Sequence, residues 1–330
     1  MNYDLPPTER IYDGHDTTSV YLPTFIGPIN CQNVLIEGVD LQACVFWNIV
    51  PTYCDSVTTR GTKVHSVGLP MGDGMDIESC RNVLIEYNFL ETGDDNFTIK
   101  SGRGIDGLRV NRPCENIVIR RNRTAIGHGG VTCGSETAGM IRDVYVCDNV
   151  FAGTDVGLRF KTRRPRGGGG ENLYYERNRI TARKEAINFD MLGSAIYVGG
   201  QAARVPMEVD RFTPVYRNVE IRDLVVEDAN IFLKVSGIPE SPARNVLIER
   251  VEAKSNQVLK LHDLNTCKLR KAKLVGADAV MDLLDVSNLR LEEVTIEVPG
   301  AEVKWQIEGT RTENLYWEEA PLVPPRGGRF

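Results

Sequence analysis

Four short phrases hold residue types that could do chemistry: Gly72-Asp73-Gly74-Met75-Asp76, Thr92-Gly93-Asp94-Asp95-Asn96, Gly127-His128-Gly129-Gly130 and Leu158-Arg159-Phe160-Lys161-Thr162. Hydrolysis of a glycosidic bond uses two carboxyl groups, one to protonate the leaving oxygen and one to activate water or attack. Like charges held together raise one another's pKa, so a cluster of Asp73, Asp94 and Asp95 suits a site that needs an acid near neutral or mildly acidic pH. The tandem Asp94-Asp95 cannot send both side chains to one face of a regular strand, and Gly93 before it signals a turn or bulge that re-aims them. His128 lies among glycines, which let backbone and ligand approach closely. It is placed to hydrogen-bond and tune an acid. Arg159, Lys161 and Arg163 alternate along a strand and share a face. A guanidinium fork and a point-charge ammonium suit a carboxylate, so a polyuronic acid fits. Arg163, Arg164 and Arg166 read as a solvated basic loop beside that pair.

What must position these groups is a repeat. Asn followed by alternating aliphatic residues recurs as Asn33-Val34-Leu35-Ile36, Asn82-Val83-Leu84-Ile85, Asn116-Ile117-Val118-Ile119 and Asn245-Val246-Leu247-Ile248. Looser copies begin at Asp55, Asp143, Asn172, Asn218, Asn288 and Asn314. Each unit has the period-2 patterning of short strands, punctuated by Gly, Asn, Asp and Ser. Leucine-rich repeats would need a Leu-x-x-Leu-x-Leu frame, which is absent, and propeller blades would need about 40 residues each. Steps of roughly 21 to 34 residues predict an all-β fold, a parallel β-helix (solenoid) of roughly ten coils, rising about 4.8 Å per coil. The 46-residue step from Asn172 to Asn218 has room for two coils. The 43-residue step from Asn245 to Asn288 is expected to hold two, with Cys267-Lys268-Leu269 between. At its turn each Asn can sit near αL and hydrogen-bond the backbone of the coils above and below. Residues 1–30 and 321–330 leave the pattern and are expected to cap the ends. No linker interrupts the chain, so one domain is expected over 1–330.

The repeat also serves as a ruler. Asn82 to Asp94 and Asn116 to His128 are both 12 residues, Asp143 to Arg159 is 16 and Asp55 to Asp73 is 18. The four phrases therefore occupy similar phases of four consecutive coils. They would lie on one face within about 15 Å, the size of a sugar-binding cleft.

Taken in order, Asp73-Gly74…Asp76, Gly93-Asp94-Asp95, Gly127-His128-Gly129 and Arg159-Phe160-Lys161 resemble glycoside hydrolase family 28, the polygalacturonases, over about residues 20 to 260. The phrases around Lys100-Ser101-Gly102, Gly134-Ser135-Glu136 and Arg164-Pro165-Arg166 look like its bacterial, often exo-acting branch. The resemblance implies a right-handed parallel β-helix, inversion at the anomeric centre, no cofactor and no metal. Carried over by residue, Asp94 matches the general acid, Asp73 and Asp95 the pair that positions and activates water, and His128 the histidine beside the acid. Arg159 and Lys161 match the holders of a galacturonate carboxylate. This chain has Met71-Gly72 where the family has Asn-Thr, and Asn96 where it has Cys. The late subsite tyrosine has its nearest candidate in Tyr197. The implied substrate is a pectic poly- or oligosaccharide. Hydrolysis of rhamnogalacturonan or a pectic side chain, and a binding-only β-helix, remain as alternatives.

Composition removes other classes. The 330 residues carry a net charge of −6 and a pI of about 5.5, without the basic surplus of a nucleic-acid binder. Eight Cys with no CxxC pair and only four His argue against a zinc site. Most Cys sit beside aliphatic residues and read as small buried side chains. No run of about 18 apolar residues marks a membrane span. The N-terminus shows no signal peptide, while the resemblance implies a secreted or periplasmic place of work. A monomer is expected.

Overall fold

The computed structural model describes residues 23–322, the side chains of Ile196 and Tyr197 excepted; the expected caps lie largely outside the described residues. The chain winds into three parallel sheets, the second beginning with Asp40–Gln42, Lys63–His65 and Phe89–Glu91 and the third with Met75–Glu78 and Phe97–Lys100. The first sheet contains Gln32–Glu37, Asp55–Arg60, Arg81–Glu86, Cys114–Arg120 and Ile141–Cys147, and continues to Glu313–Trp317. Its register runs Val34, Val57, Val83, Ile117, Val144, Leu173, Val219, Val246, Cys267, Leu289, Leu315. That column defines eleven coils, against the roughly ten read from sequence.

Two step lengths resolve differently. Leu173 pairs directly with Val219, so the 46-residue step is one coil carrying an insert over 191–214, not two coils. The insert contains a short helix, Ala195–Val198, and a 3-10 turn, Gly199–Ala202. Cys267 pairs with Val246 on one side and Leu289 on the other, so the 43-residue step does hold two coils.

The residue before each stacked aliphatic, from Asn33 to Asn314, has φ between 54° and 60°, the left-handed turn that Asn tolerates. Its side chain does not reach backbone above and below. It bonds the next side chain instead, as in Asn218 Nδ2 to Asn172 Oδ1 (3.1 Å) and Asn245 to Asn218 (3.0 Å). A second ladder, invisible in the repeat phrase, does the backbone work inside. Asn88, Asn122, Asn149 and Asn178 are buried and donate to one another in series at 2.9, 3.0 and 3.0 Å. Each also caps a carbonyl one coil below, as Asn122 does with Ile85 at 3.1 Å. These four side-chain amides are thereby hydrogen-bonded at a bend where the sheet ladder is interrupted.

Aliphatic columns fill the interior. Beneath the third sheet they give way to an aromatic stack, with Phe160 and Phe189 4.2 Å apart and Tyr175 and Tyr216 meeting them edge-on. All eight cysteines are free thiols, seven of them buried, in agreement with their reading as small core residues.

Candidate active site

The four phrases meet where the second sheet turns into the third. Asp73 immediately precedes the strand Met75–Glu78. Asp94 and Asp95 occupy the bend before Phe97–Lys100, and His128 lies within Arg123–Cys133. Backbone hydrogen bonds fix the phase. Gly74 N donates to Asp95 O (2.9 Å), His128 N to Asp94 O (2.8 Å), and Asn96 N to Gly129 O (2.8 Å). The bend after Gly93 aims the neighbouring carboxylates differently. Asp95 is 2% exposed, whereas the Asp94 side chain keeps 24% of its surface.

The glycines around His128 make room for protein groups, not only for a ligand. A Cβ at Gly127, whose φ is +153°, would lie 2.2 Å from Asn96 Nδ2, and one at Gly129 would lie 2.5 Å from Asp95 Oδ1. Asn96, standing where the family has Cys, ties the bend to the next coil through Ile126 O (3.2 Å) and Gly129 O (3.1 Å).

One oxygen from each of Asp73, Asp94 and Asp95 lies within 4.8 Å of the others. His128 Nδ1 is 3.0 Å from Asp94 Oδ1, and Arg159 Nη1 donates to Asp95 Oδ1 at 3.2 Å. Burial and the nearby Asp76 and Asp94 push Asp73 well above the usual carboxylate range. Burial acts on Asp95 in the same sense, but Arg159, Lys161 and Lys100 overcome it and hold Asp95 below that range. The two recessed carboxylates are thus driven apart, with Asp95 favoured as the ionised one and Asp73 as the protonated one. The hydrogen bond to Asp94 raises His128. Lys161 is lowered by burial and by Arg159, and makes no ion pair within 4.0 Å among the described residues. Arg159 Nε likewise finds no protein acceptor, so both cations keep donors for an anionic ligand.

All six residues singled out from the sequence are therefore brought together. Arg163, Arg164 and Arg166 are not a solvated loop: all three are 5% exposed or less. Arg166 binds Glu136 at 2.8 Å. Arg164 grips Glu240 with two hydrogen bonds of 2.5 and 2.6 Å, and donates to carbonyls of Gln201, Ala203 and Val205 in the insert. A further network under the carboxylates was not anticipated. Asp76 is fully buried, 3.6 Å from Lys100 Nζ, which binds Glu136 at 2.9 Å. The sequence sets Asp76, Lys100 and Glu136 in phrases quoted above but assigns them no role. Asp155 was also missed, although the 12-residue ruler laid from Asp143 falls on it. The backbone of Tyr197 lies in the insert's helix; its side chain is among those not described.

The fold is thus a parallel β-helix on which three carboxylates, an imidazole and two cations converge. Residues 13–208 match Glycosyl hydrolases family 28, and the chain belongs to that family. It is 30% identical over 231 residues to a probable polygalacturonase of Vitis vinifera, covering 69% of this chain and 46% of that protein. It is 30% identical over 198 residues to an exo-poly-alpha-D-galacturonosidase of Dickeya chrysanthemi, covering 58% and 32%. The crystal structure of a hyperthermoactive exopolygalacturonase from Thermotoga maritima superposes with a TM-score of 0.70 at 29% identity, over 78% of this chain and 56% of that one. The chain spans a third to a half of the length of these two curated relatives.

Proposed function

We propose that this protein is an inverting glycoside hydrolase that cleaves α-linked galacturonic acid in pectin. The observation that carries the reading is the convergence of Asp73, Asp94 and Asp95 within 4.8 Å, with His128 on Asp94 and Arg159 on Asp95. Asp94, the most exposed of the three, is the acid that protonates the leaving oxygen. Asp95, kept ionised by Arg159 and Lys161, takes a proton from water. Asp73 Oδ1, with no protein hydrogen bond, orients that water. Arg159 and Lys161 hold the carboxylate of a galacturonate ring.

Carboxyl pairs of inverting enzymes usually stand about 6.5–9.5 Å apart, wider than this trio. Burial argues for inversion even so. Asp73 and Asp95 are 4% and 2% exposed, recessed behind Asp94, and act on the sugar through an intervening water. NMR of the first-formed product anomer decides this. A retained α-anomer would rule out the water route.

Exo action is the second element of the reading, and it rests on the insert. Residues 191–214 follow Asp190, which is in register with Lys161, so the insert borders the cation end of the cleft. The buried segment after Lys161 does not form that rim. Several insert carbonyls are fixed by Arg164. The molecule works as a single-domain monomer outside the cytoplasm, where its polymer substrate is met. No helix among the described residues is long and apolar enough to cross a membrane.

The test is reducing-sugar release from polygalacturonic acid, with products sized by chromatography, for the wild type and Asp94→Asn. Monomer from the earliest times, lost in the variant, supports both the exo reading and the acid. Mixed oligomers replace exo with endo action. No release by the wild type moves the substrate to rhamnogalacturonan or pectic side chains, and no release from those leaves a binding protein.

A further inference from the structure

His128 has a second carboxylate partner that the four catalytic phrases do not contain. Asp155 occupies the same column one coil further on, since Gly127 pairs with Thr154 and Gly129 with Val156. Its Oδ2 lies 4.0 Å from His128 Nε2, on the far side of the ring from Asp94. The carboxylate is not free to wander. Arg183 Nε holds one oxygen at 2.8 Å and Lys184 Nζ the other at 3.0 Å, and its side chain is only 14% exposed. Arg183 also reaches Gly127 O at 3.5 Å, beside His128 itself. The imidazole is thus bracketed along the column by Asp94 below and Asp155 above.

We propose that Asp155, clamped by Arg183 and Lys184, is a positioning residue that fixes the orientation and charge of His128 and, through it, the proton on Asp94. The proposal rests on the assignment of Asp94 as the acid. The charged groups facing the ring are Asp94 and Asp95 from one coil and Asp155 from the other, with Arg183 and Lys184 behind Asp155. All three carboxylates favour imidazolium, and the hydrogen bond to Asp94 is the strongest influence. A ring carrying both N–H groups donates from Nδ1 to Asp94 and turns Nε2 toward Asp155. The neutral ring satisfies only one side. Asp155 therefore selects which nitrogen faces the acid. Were it removed, Arg183 and Lys184 would be left as two unneutralised cations beside the ring, and both charge changes would disfavour imidazolium.

The experiment compares the wild type, Asp155→Asn and Asp155→Glu. The first reading is the His128 titration midpoint, followed by NMR of the ring nitrogens and assigned with His128→Gln. In Asp155→Asn the midpoint is expected to fall by about half a unit or more, and Asp155→Glu is expected to restore most of it. An unchanged midpoint in Asp155→Asn overturns the proposal. The second reading is kcat, KM and the pH profile on polygalacturonate. Asp155→Asn is expected to lower kcat about ten-fold with KM within about two-fold, and to move the profile with the His128 midpoint. A rise in KM at constant kcat would instead make Asp155 a sugar-binding group and refute the positioning role. A wild type inactive on every galacturonan would sink the acid assignment, while the His128 midpoint would still decide whether Asp155 governs the ring.

Discussion

At the level of single residues, the proposed roles separate groups that move protons from groups that only hold them. Asp94→Asn keeps the shape of the acid and removes its proton. Its kcat should fall by about 10²–10⁴-fold with the thermal transition unchanged, checked by paired kinetics and calorimetry. Gly129→Ala tests the close approach behind His128. Its Cβ would meet Asp95 Oδ1 at 2.5 Å and Thr132 Oγ1 at 2.1 Å, neither of which can move freely. The variant should lose about 1–3 kcal/mol of stability and most of its activity, and a fully active Gly129→Ala would show that Asp95 tolerates displacement. The convergence of the six candidate residues was legible because a solenoid converts sequence phase into spatial proximity. The partners of Glu136 were not, because it lies in an irregular bend outside the repeat, although its phrase was noted. Arg164 was misread because its partner, Glu240, is 76 residues away.

Among the elements, the two asparagine ladders do different work, and their variants should differ accordingly. Asn122 is 2% exposed, and its amide serves the neighbouring Asn149 and a carbonyl at once. Asn122→Ala leaves buried polar groups unpaired and should cost about 1–3 kcal/mol in a denaturation midpoint. Asn116→Ala, in the exposed ladder, should cost less than half as much. The insert is held by the Arg164–Glu240 pair, whose side chains are each 5% exposed. Arg164→Ala strands a buried carboxylate and should destabilise by about 3–5 kcal/mol. If the insert governs chain-end action, the products of this variant should also shift from monomer toward longer oligomers; an unaltered product ladder would remove the insert from that role. Step length alone could not distinguish an insert from an extra coil. The discriminating signal was the aliphatic phrase itself: Cys267-Lys268-Leu269 supplies one in the 43-residue step, and 191–214 has none.

Across the molecule as a whole, buried acids set the response to pH. Burial raises Asp76 from 3.8 and Glu78 from 4.5, each to about 7. Both are neutral in the folded state at acidic pH. The stability this permits is complete below the ordinary carboxylate values and is lost as pH rises through about 7. Asp285 behaves oppositely, since Arg204 and Arg311 outweigh its burial and hold it at about 2, so its contribution disappears as pH falls toward that value. Calorimetric melting temperatures should therefore peak near pH 4–5 and decline toward pH 8. A maximum at pH 8 would contradict the protonated state of Asp76 and Glu78. Chelation should leave activity intact, whereas a calcium-dependent eliminase would lose it and form an unsaturated, ultraviolet-absorbing product.

Each coil rests on its two neighbours alone, and this bears on how such a gene can lengthen or shorten. Gain or loss of a whole turn beyond the rung of Lys161, or before that of Asp73, adds or removes scaffold and leaves the reacting groups in place. The same event between those rungs would part members of the constellation by about 4.8 Å, the rise of one coil. Such a solenoid is thus free to vary in length at both extremities, while the number of turns between Asp73 and Lys161 is fixed by the chemistry proposed for them.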